Sequence, residues 1–200
     1  MNIETAITTR RSVKHYNPDH PMPQEEIDKL LSLATLSPTA FNIQHWRFVV
    51  VKDPELRQKI REVSFMQAQI TEASLLIVLC ADTKAWRKET HRYWRNTQKD
   101  VQESLVRAIH DYYDGREQVQ RDEAMRSCGI AAQTLMLAAK GMGYDTCAMD
   151  LSDLDEVGKL INLPDDHLLA MMIAVGKPTQ EARPRGGQLA LDEVVITDRF

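Results

Sequence analysis

The chain has 200 residues, 43% of them hydrophobic and 27% charged, and its formal net charge at pH 7 is −4. A chain of this length can bury roughly 70% of the surface that it exposes when unfolded, so we expect a single domain over residues 1–200. The hydrophobic content excludes a disordered chain. The negative net charge argues against a nucleic-acid partner, because proteins that bind nucleic acids through bulk charge carry an excess of basic residues.

Three features of the sequence bear on cellular location and on metal binding: the N-terminus, the cysteines and the histidines. The first residues lack the basic start and apolar run of a secretory signal, and the longest apolar stretch, residues 73–81, is too short to span a membrane. Cys80, Cys128 and Cys147 are widely spaced and form no CxxC pair, and the six histidines form no HxH or HxxxH pair. We therefore expect a cytoplasmic protein with no disulfide framework, no metal site and no membrane association.

The hydrophobic pattern predicts helices interspersed with a few strands. A short helix is expected over residues 2–9, and a second helix begins at Pro23 and ends near Ser37. The apolar run from Ser74 to Cys80 is typical of a strand buried on both faces. The other expected elements are strands over 46–51, 145–149 and 168–175, helices over 54–63 and 121–142, one or two exposed helices within 83–115, a helix capped by Ser152, and an extended segment over 193–196. This order fits a layered α+β or α/β domain.

Basic residues cluster where the first predicted helix ends. Arg10, Arg11 and Lys14 place three positive charges around the hydroxyl of Ser12. Such a cluster suits a phosphate, because guanidinium groups bind its oxygens through paired hydrogen bonds. The alternative is a solvated turn, in which the cations lie favourably at the C-terminus of the helix.

The loop before the strand at 46–51 carries two amide side chains, Asn42 and Gln44. Paired amides in a rigid loop can recognise the edge of a planar heterocycle. Alternatively, Asn42 satisfies backbone groups of the loop and Gln44 faces solvent. The spacing of these residues leaves both interpretations open.

Several motifs occur in order along the chain. Residues 10–16 have the pattern R-R-S-x-K-x-Y, residues 37–46 read S-P-T-x-x-N-x-Q-H-W, and the tail contains Arg183-Pro-Arg185. Together they resemble the nitroreductase family of FMN-dependent oxidoreductases, whose corresponding motifs are R-[RH]-S-x-[RK]-x-[FY] and [AS]-P-[ST]-x-x-N-x-Q-P-W. The resemblance covers essentially the whole chain. His45 replaces the commoner proline before Trp46.

The resemblance implies an α+β fold, a three-layer sandwich in which helices flank a mainly antiparallel sheet. It also implies an intertwined homodimer with shared active sites. One face of the apolar 125–142 helix would pack on the sheet and another on the partner, and the tail over 183–200 would wrap around the other subunit. The segment over 83–120 would form a helical lid, for which the alternative is ordinary packing of an amphipathic helix.

The resemblance further implies which residues hold FMN. Side chains from both chain ends would bind the phosphate: Arg10, Ser12 and Arg185, with Arg183 assisting. Three more side chains would contact the flavin or its ribityl chain: Arg11, Lys14 near the N1/C2 end of the ring, and Gln69. The partner's loop would supply Pro38, Thr39, Ala40, Asn42 and Gln44. The end of the strand at 145–149 would cover the other ring face with Met149, Asp150 and Leu151.

The implied activity is ping-pong hydride transfer from NADH or NADPH, through N5 of FMN, to a small electron-poor acceptor such as a nitroaromatic or a quinone. The cofactor carries this chemistry, so no catalytic side chain is expected. One alternative is another flavin reaction on the same scaffold, such as dehalogenation or a biosynthetic dehydrogenation. The other is a flavin-binding or interaction protein without turnover.

Overall fold

Four strands form one antiparallel sheet with helices on both faces in the structure, a computed structural model that describes residues 1–150 and 153–200. The strands are β1 (Trp46–Val51), β2 (Leu75–Asp82), β3 (Asp145–Met149) and β4 (His167–Gly176). The α-helices are α1 (Ile3–Thr9), α2 (Gln24–Ala34), α3 (Pro54–Glu62), α4 (Gln69–Glu72), α5 (Lys99–Tyr113), α6 (Glu117–Gly141), α7 (Leu154–Leu160) and α8 (Leu191–Val194). Short 3-10 turns cover Ala40–Asn42, Ala85–Arg87 and Thr90–Trp94.

The sheet order is β1-β2-β4-β3, and each neighbouring pair is antiparallel. β1 and β3 therefore lie at opposite edges. Because adjacent strands are about 4.8 Å apart, these edges are separated by about 14 Å. Every residue of β2 is buried, which leaves no room for a ligand to cross the middle of the sheet.

Alternate residues of β2 enter two separate cores. Leu75, Ile77 and Leu79 pack on one face with residues of α2 and α6. Leu76 and Val78 pack on the other face with residues of α3, α4 and α7, as the two-residue period of a strand requires. The expected α+β class and the antiparallel sheet between two helical layers are confirmed.

The central helix α6 begins four residues earlier than expected, at Glu117. Its buried side packs on α2 and the sheet through small and apolar residues such as Ala131 and Leu135. Ile130 remains 37% exposed. The helix is therefore central, with part of its apolar surface open.

Two local predictions differ from the structure, and a third is met in part of its range. The helix after β3 is capped by Asp153, whose side chain accepts a hydrogen bond from the Glu156 N–H at 3.0 Å; Ser152, the predicted cap, lies outside the described residues. The segment predicted as extended begins inside helix α8, because Glu193 Oε1 accepts from the Ala190 N–H at 3.0 Å and closes a turn. Within 83–115, where one or two helices are expected, α5 is one α-helix, and two 3-10 turns precede it.

The 83–113 segment builds a third, mostly aromatic core. Trp86, Tyr93 and Tyr113 are buried there together with Ile109 and with Ile43 from the loop before β1. Ordinary packing thus accounts for much of this segment. Its closure over a substrate as a lid stays a prediction.

The chain after α1 runs beside β3. The Val13 N–H donates to the Thr146 carbonyl at 3.1 Å. Gly176 permits the close approach, because a Cβ there would lie 2.9 Å from Tyr16 Cδ1 and 3.1 Å from the Ser74 backbone nitrogen. The basic cluster at residues 10–14 is thereby fixed at the β3 edge.

The tail over residues 183–200 is exposed throughout. Its apolar side chains include Leu189, Leu191 and Val195, which are 68%, 77% and 60% exposed. A run of exposed apolar side chains is typical of a surface that another molecule covers. None of the described helices combines the length and apolar character needed to cross a membrane.

Candidate functional site

Residues from both ends of the chain meet beside β3. Arg185 Nη2 donates to the carbonyl oxygens of Ile7 at 3.1 Å and Arg10 at 3.3 Å, which ties the tail to the end of α1. Ser12 forms a backbone bridge with Thr146 of β3. The structure thus brings together the two basic segments that lie about 170 residues apart in the sequence.

Several cations in this group have no side-chain partner among the residues that the structure describes. Arg10, Lys14 and Arg183 make no side-chain hydrogen bond or ion pair within residues 1–150 and 153–200. Lys14 and Arg183 line a cavity of about 440 Å³ with Ser12, and Glu181 contributes an acidic group to the same wall. Neighbouring unpaired cations repel each other, so a bound anion would stabilise them.

Arg11 has a structural explanation. Its Nη1 donates to the carbonyl oxygens of Thr8 at 2.7 Å and Arg10 at 2.9 Å. These are carbonyl groups at the end of α1, which helical hydrogen bonds leave unsatisfied. The contact of Arg11 with the flavin or its ribityl chain stays a prediction.

The candidates from β3 and α4 pack near the same sheet face. Met149 is buried at the end of β3, and the exposed Asp150 follows it; Leu151 lies outside the described residues. Gln69 is 4% exposed, and its amide donates to Gln67 Oε1 at 2.8 Å. Their flavin contacts stay predictions.

The loop before β1 is held in a strained conformation. Phe41, Asn42 and Gln44 have φ angles of 53°, 56° and 54°, in the left-handed region that costs a non-glycine residue about 1–2 kcal/mol. The Gln44 N–H donates to Thr39 Oγ1 at 3.1 Å across the turn. Backbone strain of this kind persists only where surrounding contacts impose it, and it clusters at functional sites.

Hydrogen bonds from the aromatic core impose this conformation. Asn42 Nδ2 donates to the Tyr93 carbonyl at 2.8 Å, and Trp94 Nε1 donates to the Phe41 carbonyl at 3.0 Å. The side chain of Asn42 therefore satisfies backbone groups, which is one of the two roles that its position suggests. Sequence analysis located the loop but missed Tyr93 and Trp94 as its supports, because no periodic signal links segments 51 residues apart.

The loop and the cationic group lie at opposite edges of the sheet. Pro38 and Asn42 are exposed and Thr39, Ala40 and Gln44 half-buried where the loop enters β1, whereas the cations lie beside β3. β2 and β4 separate the two groups. One chain therefore does not bring all of the predicted site residues together.

Asp82 is a buried carboxylate that sequence analysis missed. It binds two cationic side chains at the end of the sheet near the loop. Asp82 is 1% exposed and accepts hydrogen bonds from Arg47 Nη2 at 2.9 Å and from Lys88 Nζ at 3.0 Å. Lys88 also contacts Asp166 at 2.6 Å, and this hydrogen bond is the main cause of the lowered pKa of Asp166. With His167 the two acids have the spacing of a metal-ligand group, but the Lys88 ammonium already bridges the carboxylates. These contacts of Lys88 join the sheet to the start of the 83–113 segment, called the aromatic segment below.

His45, directly before β1, is completely buried. Its Nδ1 lies 3.2 Å from Ser127 Oγ, and its Nε2 has no hydrogen-bond partner within residues 1–150 and 153–200. Burial lowers the pKa of His45 to about 4, despite the opposing influence of Asp82 and Glu123. The ring is therefore neutral near pH 7.

Comparison with known proteins places the chain in a family. The Nitroreductase family model matches residues 7–177. Protein DrgA of Synechocystis sp. is 53% identical over 182 residues, which cover 91% of this chain and 87% of DrgA. MhqN of Bacillus subtilis, named as an NAD(P)H nitroreductase, is 31% identical over 94% of this chain and 95% of MhqN. A nitroreductase structure from Exiguobacterium sibiricum, solved in complex with FMN, has a TM-score of 0.90 at 24% identity and covers 98% of this chain and 97% of that chain.

The chain therefore belongs to the nitroreductase family and is an oxidoreductase of that family. The family membership expected from the motifs at residues 10–16 and 37–46 is confirmed.

His45 predicts a specific pH dependence of stability. An unfolded histidine has a pKa of about 6.5, so between pH 6.5 and 4 the unfolded state binds more protons and stability falls as the pH falls. From pH 7 to pH 5 this group alone should remove about 2 kcal/mol from the free energy of unfolding. The measurement is urea unfolding of the wild type and of His45→Gln at several pH values. The difference between the two curves should change by about that amount, whereas parallel pH profiles would contradict the assignment.

Proposed function

We propose that this protein is an FMN-dependent oxidoreductase that uses NADH or NADPH to reduce an electron-poor small molecule, such as a nitroaromatic or a quinone. The observation that carries the proposal is the group of unpaired cations beside β3, with Arg185 tied to the end of α1. The family membership and the relative named as an NAD(P)H nitroreductase support the choice of donor. The related structure solved with FMN supports the choice of cofactor.

The cations fit the phosphate of FMN. At neutral pH a phosphate monoester carries nearly two negative charges, and Arg10, Arg183 and Arg185 remain positive at any physiological pH. Ser12 lines the same cavity as Lys14 and Arg183 and would add a hydroxyl donor. A dianion here would neutralise charges that the protein itself leaves unpaired.

We propose further that two chains form each site. The loop residues Pro38, Thr39, Ala40, Asn42 and Gln44 would reach the flavin of the partner subunit, because the sheet separates them from the cations of their own chain. The exposed tail and the open part of α6 at Ile130 offer apolar surface for such a dimer. A cytoplasmic location is consistent with three buried cysteines that form no disulfide.

FMN, held at its phosphate by Arg10, Ser12, Arg183 and Arg185, would supply the ping-pong hydride-transfer chemistry between the nicotinamide donor and the acceptor. Lys14 would hold a positive charge where negative charge develops near the N1/C2 end of the ring, and this favours the reduced form. Gln69, Met149 and Asp150 would orient the ring from one side. The strained loop would exclude water from the other side.

Anaerobic mixing with NADH or NADPH tests the proposed function. Protein purified with bound flavin should lose its visible absorbance with at least one donor and regain it when a nitroaromatic or a quinone is added. Dithionite reduction of the same sample serves as the control that the bound flavin can be reduced. Flavin that bleaches with dithionite but with neither nicotinamide would contradict a donor-dependent reductase and favour a flavin-binding protein without this turnover.

Arg10→Ala and Arg185→Ala should each weaken FMN binding by about 10- to 100-fold, since a hydrogen bond to a charged group contributes about 1.5–3 kcal/mol. Flavin fluorescence during dialysis measures the retained fraction. Arg107→Ala, on the exposed side of α5, is the matched control and should retain FMN like the wild type. Unchanged retention in both site variants would reject their assignment to the phosphate.

A further inference from the structure

A cleft of about 880 Å³ opens between the strained loop, the edge strand β1 and the segment after Tyr93. Its wall is formed by Leu31, Thr35, Asn42, Gln44, Trp46, Arg47, Phe48 and residues 92–97. It is distinct from the cavity that Lys14 and Arg183 line beside β3. No assigned role accounts for the residues on its far side.

Among the described residues, three arginines and no acidic residue line this cleft, although the chain as a whole is acidic. Arg47 is neutralised by Asp82 at 2.9 Å. Arg92 lies over the Tyr93 ring and reaches Glu89 only at 3.8 Å. Positive charge therefore remains on this side of the cleft.

Arg95 is the strongest candidate for binding a ligand. It is exposed on the cleft wall, and it has neither an ion pair nor a side-chain hydrogen bond in the described part of the chain. Its neighbour Trp94 is anchored through Nε1 to the Phe41 carbonyl at 3.0 Å. A free guanidinium beside fixed aromatic walls suits a molecule that combines a flat ring with a carboxylate or a phosphate.

The cleft is continuous with the proposed flavin-facing loop. Asn42 and Gln44 belong to its wall, and Asn42 is bonded to the Tyr93 carbonyl at 2.8 Å. A ring held near this loop would place an attached anionic group within the part of the cleft lined by Arg92 and Arg95. This hydrogen bond connects the segment that provides the charge to the loop that would face the partner's cofactor.

We propose that Arg95, assisted by Arg92, binds an anionic oxygen group of the small-molecule substrate and so sets a preference for negatively charged substrates. This rests on the proposed function. The group is either a carboxylate on the acceptor or the 2′-phosphate that distinguishes NADPH from NADH. Both are oxyanions that a guanidinium binds through two parallel hydrogen bonds.

Paired substrates test the proposal in two arms. One arm compares kcat/KM for 4-nitrobenzoate with that for the neutral 4-nitrobenzyl alcohol, and the other compares NADPH with NADH. In at least one arm, Arg95→Ala should reduce the preference for the charged member by about fivefold to tenfold, mainly through KM. Arg107→Ala should leave both ratios unchanged, and added salt should lower the wild-type ratio because exposed charges are screened.

The outcomes separate the inference from the proposed function. A change in the acceptor arm alone identifies a carboxylate site, and a change in the donor arm alone identifies a phosphate site. Turnover with both ratios unaffected by Arg95→Ala and by Arg92→Ala overturns the inference and leaves the proposed function standing. Without turnover, quenching of indole fluorescence by 4-nitrobenzoate still reports binding, since Trp46 and Trp94 line the cleft. Equal quenching by 4-nitrobenzoate in wild type and Arg95→Ala, together with equal quenching by NADPH in the same two proteins, would then overturn it.

Discussion

The strand order is the constraint on which the proposed site depends. β1 and β3 occupy opposite edges of the sheet, and β2 between them is buried at every residue. The loop that leads into β1 and the cations beside β3 are consequently held apart by backbone hydrogen bonds that only unfolding could rearrange. If both groups bind one flavin, a second chain must supply one of them. The exposed apolar tail provides surface for that chain.

The loop before β1 has a strained backbone, and contacts with the rest of the fold stabilise it. Three non-glycine residues with positive φ within four positions are costly, and the contacts from Tyr93 and Trp94 hold them in place. The aromatic segment is itself fastened to the sheet through Lys88 and the buried Asp82. The irregular segment between β2 and α6 thus positions the loop and forms one wall of the arginine-lined cleft.

The sequence predicts the fold well where a long segment is strongly apolar. β2 is a continuous apolar run and α6 is apolar on most of its circumference, so both were predictable. Within 83–115 the sequence predicts one or two helices without placing them. α5 forms over Lys99–Tyr113, whereas the aromatic residues before it lack a helical period and include two 3-10 turns.

The candidate site was predictable only through its motifs. They located the basic residues at both chain ends and the amide loop. They could not reveal that Arg11 satisfies carbonyls of α1 or that Asn42 bonds to Tyr93, because these contacts depend on tertiary geometry. The same applies to the positive φ of Phe41, since no glycine marks that turn.

A hybrid dimer tests most directly whether two chains build each site. One differently tagged chain carries Arg10→Ala and Arg185→Ala, the other carries Ala40→Trp to obstruct the loop, and each variant alone should lose flavin. In a hybrid isolated through both tags, one of the two sites combines the intact cations of one chain with the intact loop of the other. We predict that this hybrid regains about half of the wild-type flavin content. A hybrid that binds no more flavin than its parents, or a chain that forms no hybrid, would contradict the shared site.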